Sequence, residues 1–143
     1  MEDTEESRLR HRRRLERFAR NERIFPGGDH PTRNCTACAR IITDRFGGEV
    51  RGFYHADNVE AQVGVWEFGH DFAITPDRFL VDPWLFHYYE ESPVLDLDIP
   101  ADRAEALARY GLPGKWERLP QDIQPDPGFV AKWAARTKGG RSR

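Results

Sequence analysis

The sequence has little cysteine, little net charge and no long apolar run, and each of these absences narrows its class. Only two cysteines occur among 143 residues, and they lie three positions apart. A bridge between cysteines this close would be strained in a helix, so we expect reduced thiols and not a disulfide framework. The formal net charge of −2 argues against a general polyanion binder, so nucleic acid is not the expected partner.

The chain also lacks the apolar segments of membrane and secreted proteins. No apolar run approaches the roughly 18 residues of a membrane span. The N-terminal stretch EDTEESRLRHRRRLERFARNER has no hydrophobic segment of the kind found in signal peptides. We therefore expect neither a membrane span nor a secretory signal, and a protein that is cytoplasmic or is exported already folded as an effector.

Charge and apolar residues divide the chain into three parts. Residues 1–23 are acidic first and basic afterwards, which predicts a charged helical arm. Its basic cluster, from Arg8 to Arg17, is compatible with nucleic acid or an acidic partner, but the interleaved glutamates favour a solvated helix. Residues 24–135 contain most of the aromatic side chains and form one domain by length. We expect the polar tail, residues 136–143, to be disordered.

The domain is predicted to be α+β, with one central helix near its N-terminus. A loop rich in proline and glycine precedes this helix, and Asn34 is a favourable N-cap for it. Two glycines, at 47 and 48, are a favourable end. One face of the helix is predicted to be buried, because four apolar residues repeat at helical spacing: Cys38, Ile41, Ile42 and Phe46.

After the helix the pattern changes to short β-like runs separated by turn-forming residues. The runs are EVRGFYHA, AQVGVWEF, HDFAI and FLVDPW, and they predict a small antiparallel sheet of three or four strands. Residues 93–100 are predicted to be extended. A short helix from Ala101 to Tyr110, ended by Gly111, is predicted to follow.

The two cysteines are predicted to differ in role. Cys35 lies in the first turn of the central helix, where unpaired N–H groups and the helix macrodipole favour a thiolate. Cys38 lies on the apolar stripe one turn later, and we interpret it as a small core residue. Cys35 is therefore the candidate nucleophile.

A nucleophilic thiolate needs a general base, and the base needs a group that orients it. His70 follows a glycine at a strand entrance, and the next strand carries Asp82 in an otherwise apolar run; Asp71 is expected to point to the other face. A three-residue connection at 75–77 would pair His70 with Asp82, Phe72 with Leu80 and Ile74 with Arg78. Phe72 and Leu80 would then face the helix that carries Cys35. A two- or four-residue connection would place Asp82 on the opposite face and rule out the pair.

The order of these motifs resembles a known family. NCTACARIITDRFGG, followed by GHDFAI and FLVDPW, is similar to the papain-like fold of bacterial papain-fold toxin and protein-glutamine deamidase domains. The resemblance covers the segment from Arg33 to Trp84, about a third of the chain. It implies a papain-like fold in which the helix with the cysteine packs on a small antiparallel sheet with the histidine and the aspartate.

The resemblance implies Cys35 as nucleophile, His70 as general base and acid, and Asp82 as the group that orients the imidazole. The backbone N–H of Cys35 is the expected first oxyanion donor, and Asn34 or Gln62 is the candidate for the second. Where the family commonly has glutamine after Asp-Pro, this chain has Trp84, a candidate for substrate contact. Neither a cofactor nor a metal is implied.

Three functions follow from these features. The first is acyl transfer from an amide through a thioester, in a protein-glutamine deamidase, a cysteine peptidase or a transglutaminase. It implies a protein substrate and, for a toxin, an immunity or partner protein. The second is a redox or metal module with a CxxC motif, which would need further ligands such as His30 and His55. The third is a non-catalytic binding protein on the same scaffold, with a partner surface of aromatic residues: Trp84, Phe86, Tyr88 and Tyr89.

Overall fold

A computed structural model of the chain describes residues 4–21, 35–63 and 69–117, and these form an α+β fold. Within the described residues there are four α-helices: α1 (Glu5–Ala19), α2 (Cys35–Phe46), α3 (Pro83–Tyr89) and α4 (Pro100–Tyr110). The strands are β1 (Glu49–Tyr54), β2 (Gly69–Ile74), β3 (Phe79–Val81) and β4 (Val94–Asp96). They form one antiparallel sheet in the order β1-β2-β3-β4.

The two long predicted helices of the domain are confirmed, because local signals define them. Helix α2 ends at two glycines with positive φ angles, Gly47 at 86° and Gly48 at 95°. Helix α4 begins with a proline at its first turn and ends at Gly111, whose φ is 75°. The predicted N-cap of α2, Asn34, lies outside the described residues.

Helices cover both faces of the sheet. On one face α2 contacts β1 and β2, and α1 contacts β3 and β4. The contacts of Phe72 define the other face: its ring lies 4.6 Å from that of Tyr110 in α4 and 4.9 Å from that of Trp116. The expectation that Phe72 faces the helix of Cys35 is therefore wrong; Asp71, its neighbour on β2, faces α2 instead.

Helix α1 packs on the sheet, so the prediction of a solvated arm over residues 1–23 is wrong for its described part. Leu15 and Ala19 are fully buried on α1. Arg8 reaches from the same helix to Asp96 at the end of β4, with Nη2 and Oδ1 separated by 2.6 Å. Since the apolar residues of α1 are few but aligned on one face, they suffice to dock a helix that is otherwise charged.

The hairpin between β2 and β3 differs from the prediction by two residues in register. Ile74 pairs with Leu80, not with Arg78, so counting along the ladder places Phe72, not His70, opposite Asp82. The turn begins after Thr75, whose N–H donates to the carbonyl of Phe79 at 2.9 Å. Arg78 closes the turn in the left-handed region, with φ of 71°.

The strand predicted over FLVDPW is shorter than expected and continues as a helix. It ends at Val81, and Asp82 is the N-cap of α3, accepting a hydrogen bond from the backbone N–H of Leu85 at 3.3 Å. Pro83 occupies the first turn of α3, where its missing N–H costs nothing. In the predicted strand AQVGVWEF, residues 61–63 form a turn and residues 64–68 lie outside the described residues.

Candidate active site

Cys35 begins α2 and lies against the strand that carries His70. Its Sγ accepts a hydrogen bond from the backbone N–H of Asp71 in β2 at 3.4 Å. The side chain is 4% exposed. The first backbone N–H groups of a helix have no partner within it, and they favour negative charge at this position. The thiol therefore sits where both the helix and the neighbouring strand offer donors to a thiolate.

A second, fully buried contact fixes the start of α2 on β2. The hydroxyl of Thr36 donates to Oδ2 of Asp71 at 2.5 Å. On the neighbouring strand, a Cβ added to Gly52 would lie 1.9 Å from Oδ1 of Asp71, so only glycine fits beside this carboxylate. Asp71 can be recognised in the sequence as an aspartate in an apolar strand, but its hydrogen-bond partner in α2, Thr36, cannot be predicted from the sequence.

His70 is fully buried, and its two ring nitrogens have different surroundings. Nε2 lies 2.7 Å from Oδ2 of Asp82 in a buried hydrogen bond. Nδ1 meets no hydrogen-bond partner among the described residues. The structure therefore brings the predicted imidazole and carboxylate together, although not as directly opposed partners in the ladder. Asp82 directly follows the last residue of β3, and its backbone N–H donates to the carbonyl of Pro93 at 2.7 Å.

The charge on His70 depends on its burial and on the groups around it. Burial disfavours an imidazolium, but electrostatic interaction with Asp82 and Cys35, together with the hydrogen bond to Asp82, outweighs it and raises the pKa of His70 to about 10. His70 consequently holds a proton at neutral pH, between a carboxylate and a thiol.

Tyr110 is a member of this cluster that no sequence motif indicates. Its buried hydroxyl donates to Oδ2 of Asp82 at 2.7 Å, the same oxygen that His70 contacts. Tyr110 is the last residue of α4, 28 positions after Asp82, and in the sequence it reads only as an apolar residue of an amphipathic helix. A contact of this separation has no local signature.

Cys38 lies in the core beside the cluster. It is buried, as predicted from the apolar stripe of α2. Burial raises the pKa of the Cys38 thiol well above its usual value, and the charges of Cys35 and Asp82 add to the effect. Cys38 therefore stays a neutral thiol, and both cysteines are unbridged.

The structure places the other three candidate site residues as follows. Asn34 lies outside the described residues. Gln62 has an exposed side chain, and its backbone N–H donates to the carbonyl of Arg109 at 3.0 Å. No hydrogen bond described for it joins it to the buried cluster, and its assignment as the second oxyanion donor stays a prediction. Trp84 is in the cluster, with its ring centroid 4.5 Å from that of His70, but it is buried and packs on the imidazole.

The described part of the chain contains no group of three His, Cys, Asp or Glu residues arranged to hold a metal ion. Of the two histidines considered as ligands, His30 lies outside the described residues.

No helix among residues 4–21, 35–63 and 69–117 is long and apolar enough to cross a membrane. No family model, curated protein or solved structure matches the chain, so any function must be inferred from the site itself.

Proposed function

We propose that this protein is a cysteine-dependent acyl-transfer enzyme that acts on an amide. The observation that carries the proposal is the buried hydrogen bond of 2.7 Å between His70 Nε2 and Asp82 Oδ2, on a strand whose next residue, Asp71, donates its backbone N–H to Sγ of Cys35. With Nε2 occupied by Asp82, the nitrogen left for the thiol is Nδ1. A nucleophile, a base and a group that orients the base are what covalent acyl transfer requires.

In the proposed reaction the proton of Cys35 already rests on Nδ1 of His70, and the thiolate of this ion pair attacks the carbonyl carbon of the amide. The new C–S bond moves electrons to the carbonyl oxygen, which the backbone N–H of Cys35 would stabilise. His70 then returns the proton to the amide nitrogen, the C–N bond breaks, and ammonia or an amine leaves. Water then gives a proton to His70 and attacks the thioester carbonyl, the C–S bond breaks, and the carboxylic acid leaves with the thiolate and the imidazolium restored.

The charges around His70 support this proposal. Because the pKa of His70 is raised to about 10, the imidazole already holds the proton that the leaving nitrogen needs. An imidazolium beside Cys35 favours the thiolate, which is the nucleophilic form. Cys38 is excluded from this role because its thiol stays neutral.

The substrate class follows from the family resemblance. The order of Asn-Cys, Gly-His and Asp-Pro motifs is similar to papain-fold toxins and protein-glutamine deamidases, and an α+β fold with a helix packed on an antiparallel sheet is compatible with a papain-like scaffold. We therefore propose a glutamine side chain of a protein as the first substrate to test. A peptide bond would make the same enzyme a peptidase, and an amine in place of water would make it a transglutaminase.

The test is the pH dependence of Cys35 alkylation by iodoacetamide, measured in a Cys38→Ser background. An ordinary thiol loses about 75-fold in rate between pH 8 and pH 6, because its thiolate fraction falls by that factor. We expect Cys35 to lose less than about threefold over the same range if a thiolate–imidazolium pair is present. The comparison uses the shape of the profile, so limited access to the buried sulfur does not affect it.

His70→Ala should restore the profile of an ordinary thiol. The matched control is His87→Ala, since His87 is a part-buried histidine of α3 whose Nε2 lies 3.0 Å from the carbonyl of Ala19 in α1. Ammonia release from glutamine-containing proteins then tests the substrate class. A steep profile in the parent, unchanged in His70→Ala, would overturn the proposed function.

A second candidate, a non-catalytic binding protein on the same scaffold, is favoured by the burial of the cluster. Cys35 is 4% exposed, while His70 and Asp82 are 0% and 1% exposed. In that case the buried hydrogen bonds serve stability alone, and Cys35 has the reactivity of an ordinary buried thiol. The alkylation profile separates the two candidates directly.

A further inference from the structure

Asp82 is held from two sides through a single oxygen. Oδ2 lies 2.7 Å from Nε2 of His70 and accepts a hydrogen bond of 2.7 Å from the hydroxyl of Tyr110. The other oxygen, Oδ1, accepts a longer bond of 3.3 Å from the backbone N–H of Leu85. Asp82 and Tyr110 are both buried, so water does not supply alternative partners.

We propose that Tyr110 is a positioning residue of the site, whose hydroxyl fixes the carboxylate of Asp82 and thereby aims the imidazole of His70 at Cys35. This inference rests on the proposed function, in which His70 must hold one tautomer and one orientation. It adds to that function a residue from α4, an element that the sequence motifs do not include.

The physical reason is the weak support that Asp82 receives from its own segment. It lies between the end of β3 and the start of α3, where its backbone N–H donates to the carbonyl of Pro93 at 2.7 Å, but the only short hydrogen bonds of its carboxylate among the described residues are those to His70 and Tyr110. Without the hydroxyl, the carboxylate would be free to rotate about its Cα–Cβ bond, and the imidazole would rotate with it. A buried side chain orients its neighbour only when its own rotamer is fixed.

Tyr110 is itself held rigidly enough for this role. Its carbonyl accepts hydrogen bonds from Nδ2 of Asn58 at 2.7 Å and from Nε1 of Trp116 at 2.9 Å. Its ring packs 4.6 Å from that of Phe72 and lies stacked on His70 at 6.1 Å, with 13° between the ring planes. The hydroxyl is therefore delivered by a group that is already ordered, which limits the entropy cost of orienting Asp82.

The hydroxyl of Tyr110 also keeps its proton at any pH at which the proposed enzyme would work. Burial raises the pKa of Tyr110 well above its ordinary value, and the charge of Asp82 and the hydrogen bond to it raise it further, against the opposing effect of Arg109. The titratable and charged groups around the pair of Asp82 and His70 come from three elements. These are Cys35 and Cys38 of α2, His70 of β2, and Arg109 and Tyr110 of α4.

Tyr110→Phe tests the proposal, because it removes only the hydroxyl. In the Cys38→Ser background we expect the acid limb of the Cys35 alkylation profile to move to higher pH. The alkylation rate at pH 6 divided by the rate at pH 8 should fall about fivefold. This is the change in an equilibrium constant that corresponds to the net free energy of one hydrogen bond. A purely structural role for Tyr110 would lower stability without moving this limb.

Two control variants separate these effects. Thr75→Val also removes a buried hydroxyl, one that accepts from the N–H of Phe79 at 3.0 Å in the turn between β2 and β3. Tyr89→Phe removes a tyrosine hydroxyl from a side chain that is 49% exposed. Both should keep the parental profile, even where Thr75→Val unfolds at lower urea.

The outcomes distinguish failure of this proposal from failure of the proposed function. If His70→Ala abolishes the acid limb but Tyr110→Phe superimposes on the parent, the role of Tyr110 is overturned and the enzyme stands. If the parent itself titrates as an ordinary thiol, both are overturned. Should Tyr110→Phe not fold, Asn58→Ala loosens the anchor of Tyr110 with its hydroxyl retained, and an unmoved acid limb in that variant counts against the proposal.

Discussion

Thr36 and Asp71 join the start of α2 to the middle of β2 through a fully buried hydrogen bond of 2.5 Å. Asp71 also supplies the backbone N–H that contacts Sγ of Cys35 at 3.4 Å. One strand residue therefore holds the helix through its side chain and contacts the candidate nucleophile through its main chain. The position of the sulfur relative to β2 depends on this link.

Thr36→Val should destabilise the protein by about 1–3 kcal/mol, because it leaves the buried carboxylate of Asp71 without the hydroxyl donor. The measurement is urea unfolding followed by tryptophan fluorescence. Thr43→Val is the matched control on the same helix, where the hydroxyl is only partly buried and donates to the carbonyl of Arg40 at 3.2 Å. Equal losses in the two variants would contradict a special role for the link between Thr36 and Asp71.

Gly52→Ala should destabilise the protein by about 1–3 kcal/mol, the usual cost of inserting a methyl group into a packed site. The added Cβ would lie 1.9 Å from Oδ1 of Asp71 and 2.7 Å from the carbonyl oxygen of His70. Either the carboxylate or the strand must move, so the alkylation rate of Cys35 should change as well. Gly114→Ala is the control, since no described atom lies within 4 Å of its added Cβ. Similar unfolding midpoints for both variants would show that β1 accommodates the added methyl group without a loss of stability, which would contradict the prediction.

Leu15→Ala should cost about 2–5 kcal/mol, as expected for truncation of a fully buried leucine. Leu9→Ala lies on the same helix, but its side chain is 49% exposed, and we expect a loss below about 0.5 kcal/mol. Thermal unfolding by circular dichroism measures both. If Leu15→Ala were as mild as Leu9→Ala, α1 would behave as the solvated arm that its composition indicates.

The stability of the parent should fall as the pH rises from about 6.5 towards 10. The pKa of His70 is raised from 6.5 to about 10 in the folded protein. A group that binds its proton more tightly when folded stabilises the fold fully below its unfolded pKa, and this contribution is lost as the pH approaches the folded pKa. The loss should approach about 1.4 kcal/mol per pH unit within that window, for one proton.

His70→Gln lacks this proton, so the difference in unfolding free energy between parent and variant should shrink across the same window. Urea unfolding at pH 6, 7, 8 and 9 measures the difference. Parallel stability curves for the two proteins would show that His70 does not carry a tightly bound proton in the folded state.

The helices could be predicted well because their signals are local. The apolar spacing of α2 and α4, together with the glycines that follow each of them, acts within one or two turns of the chain. Helix α1 was also expected, but its docking was not. The docking depends on two buried residues, Leu15 and Ala19. The many arginines around them in the sequence indicate a solvent-exposed helix, so their burial was not predicted.

The hairpin shows why the pairing of His70 and Asp82 was predicted for a wrong geometric reason. Arg78 adopts a positive φ angle that is unusual for arginine, which moves the turn by one residue and the register by two. A shift of two residues keeps each side chain on its original face. Thr75 and Phe79 still pair by a hydrogen bond, so the connection between the last paired residues is 76–78, three residues as predicted but shifted by one position.

The sequence by itself determined helices α1, α2 and α4, the antiparallel strands and the three candidate chemical groups, Cys35, His70 and Asp82, but it did not indicate α3. These follow from residue types and from the spacing of apolar residues, which is every second residue in a strand and every third or fourth residue in a helix. Such spacing indicates the local backbone geometry and the side of the element that faces the core. Only the tertiary structure decided how the groups are held. Tyr110 on Asp82, and Asp71 on both Thr36 and Cys35, are contacts between elements 28 to 36 positions apart, and packing alone brings them within hydrogen-bonding distance.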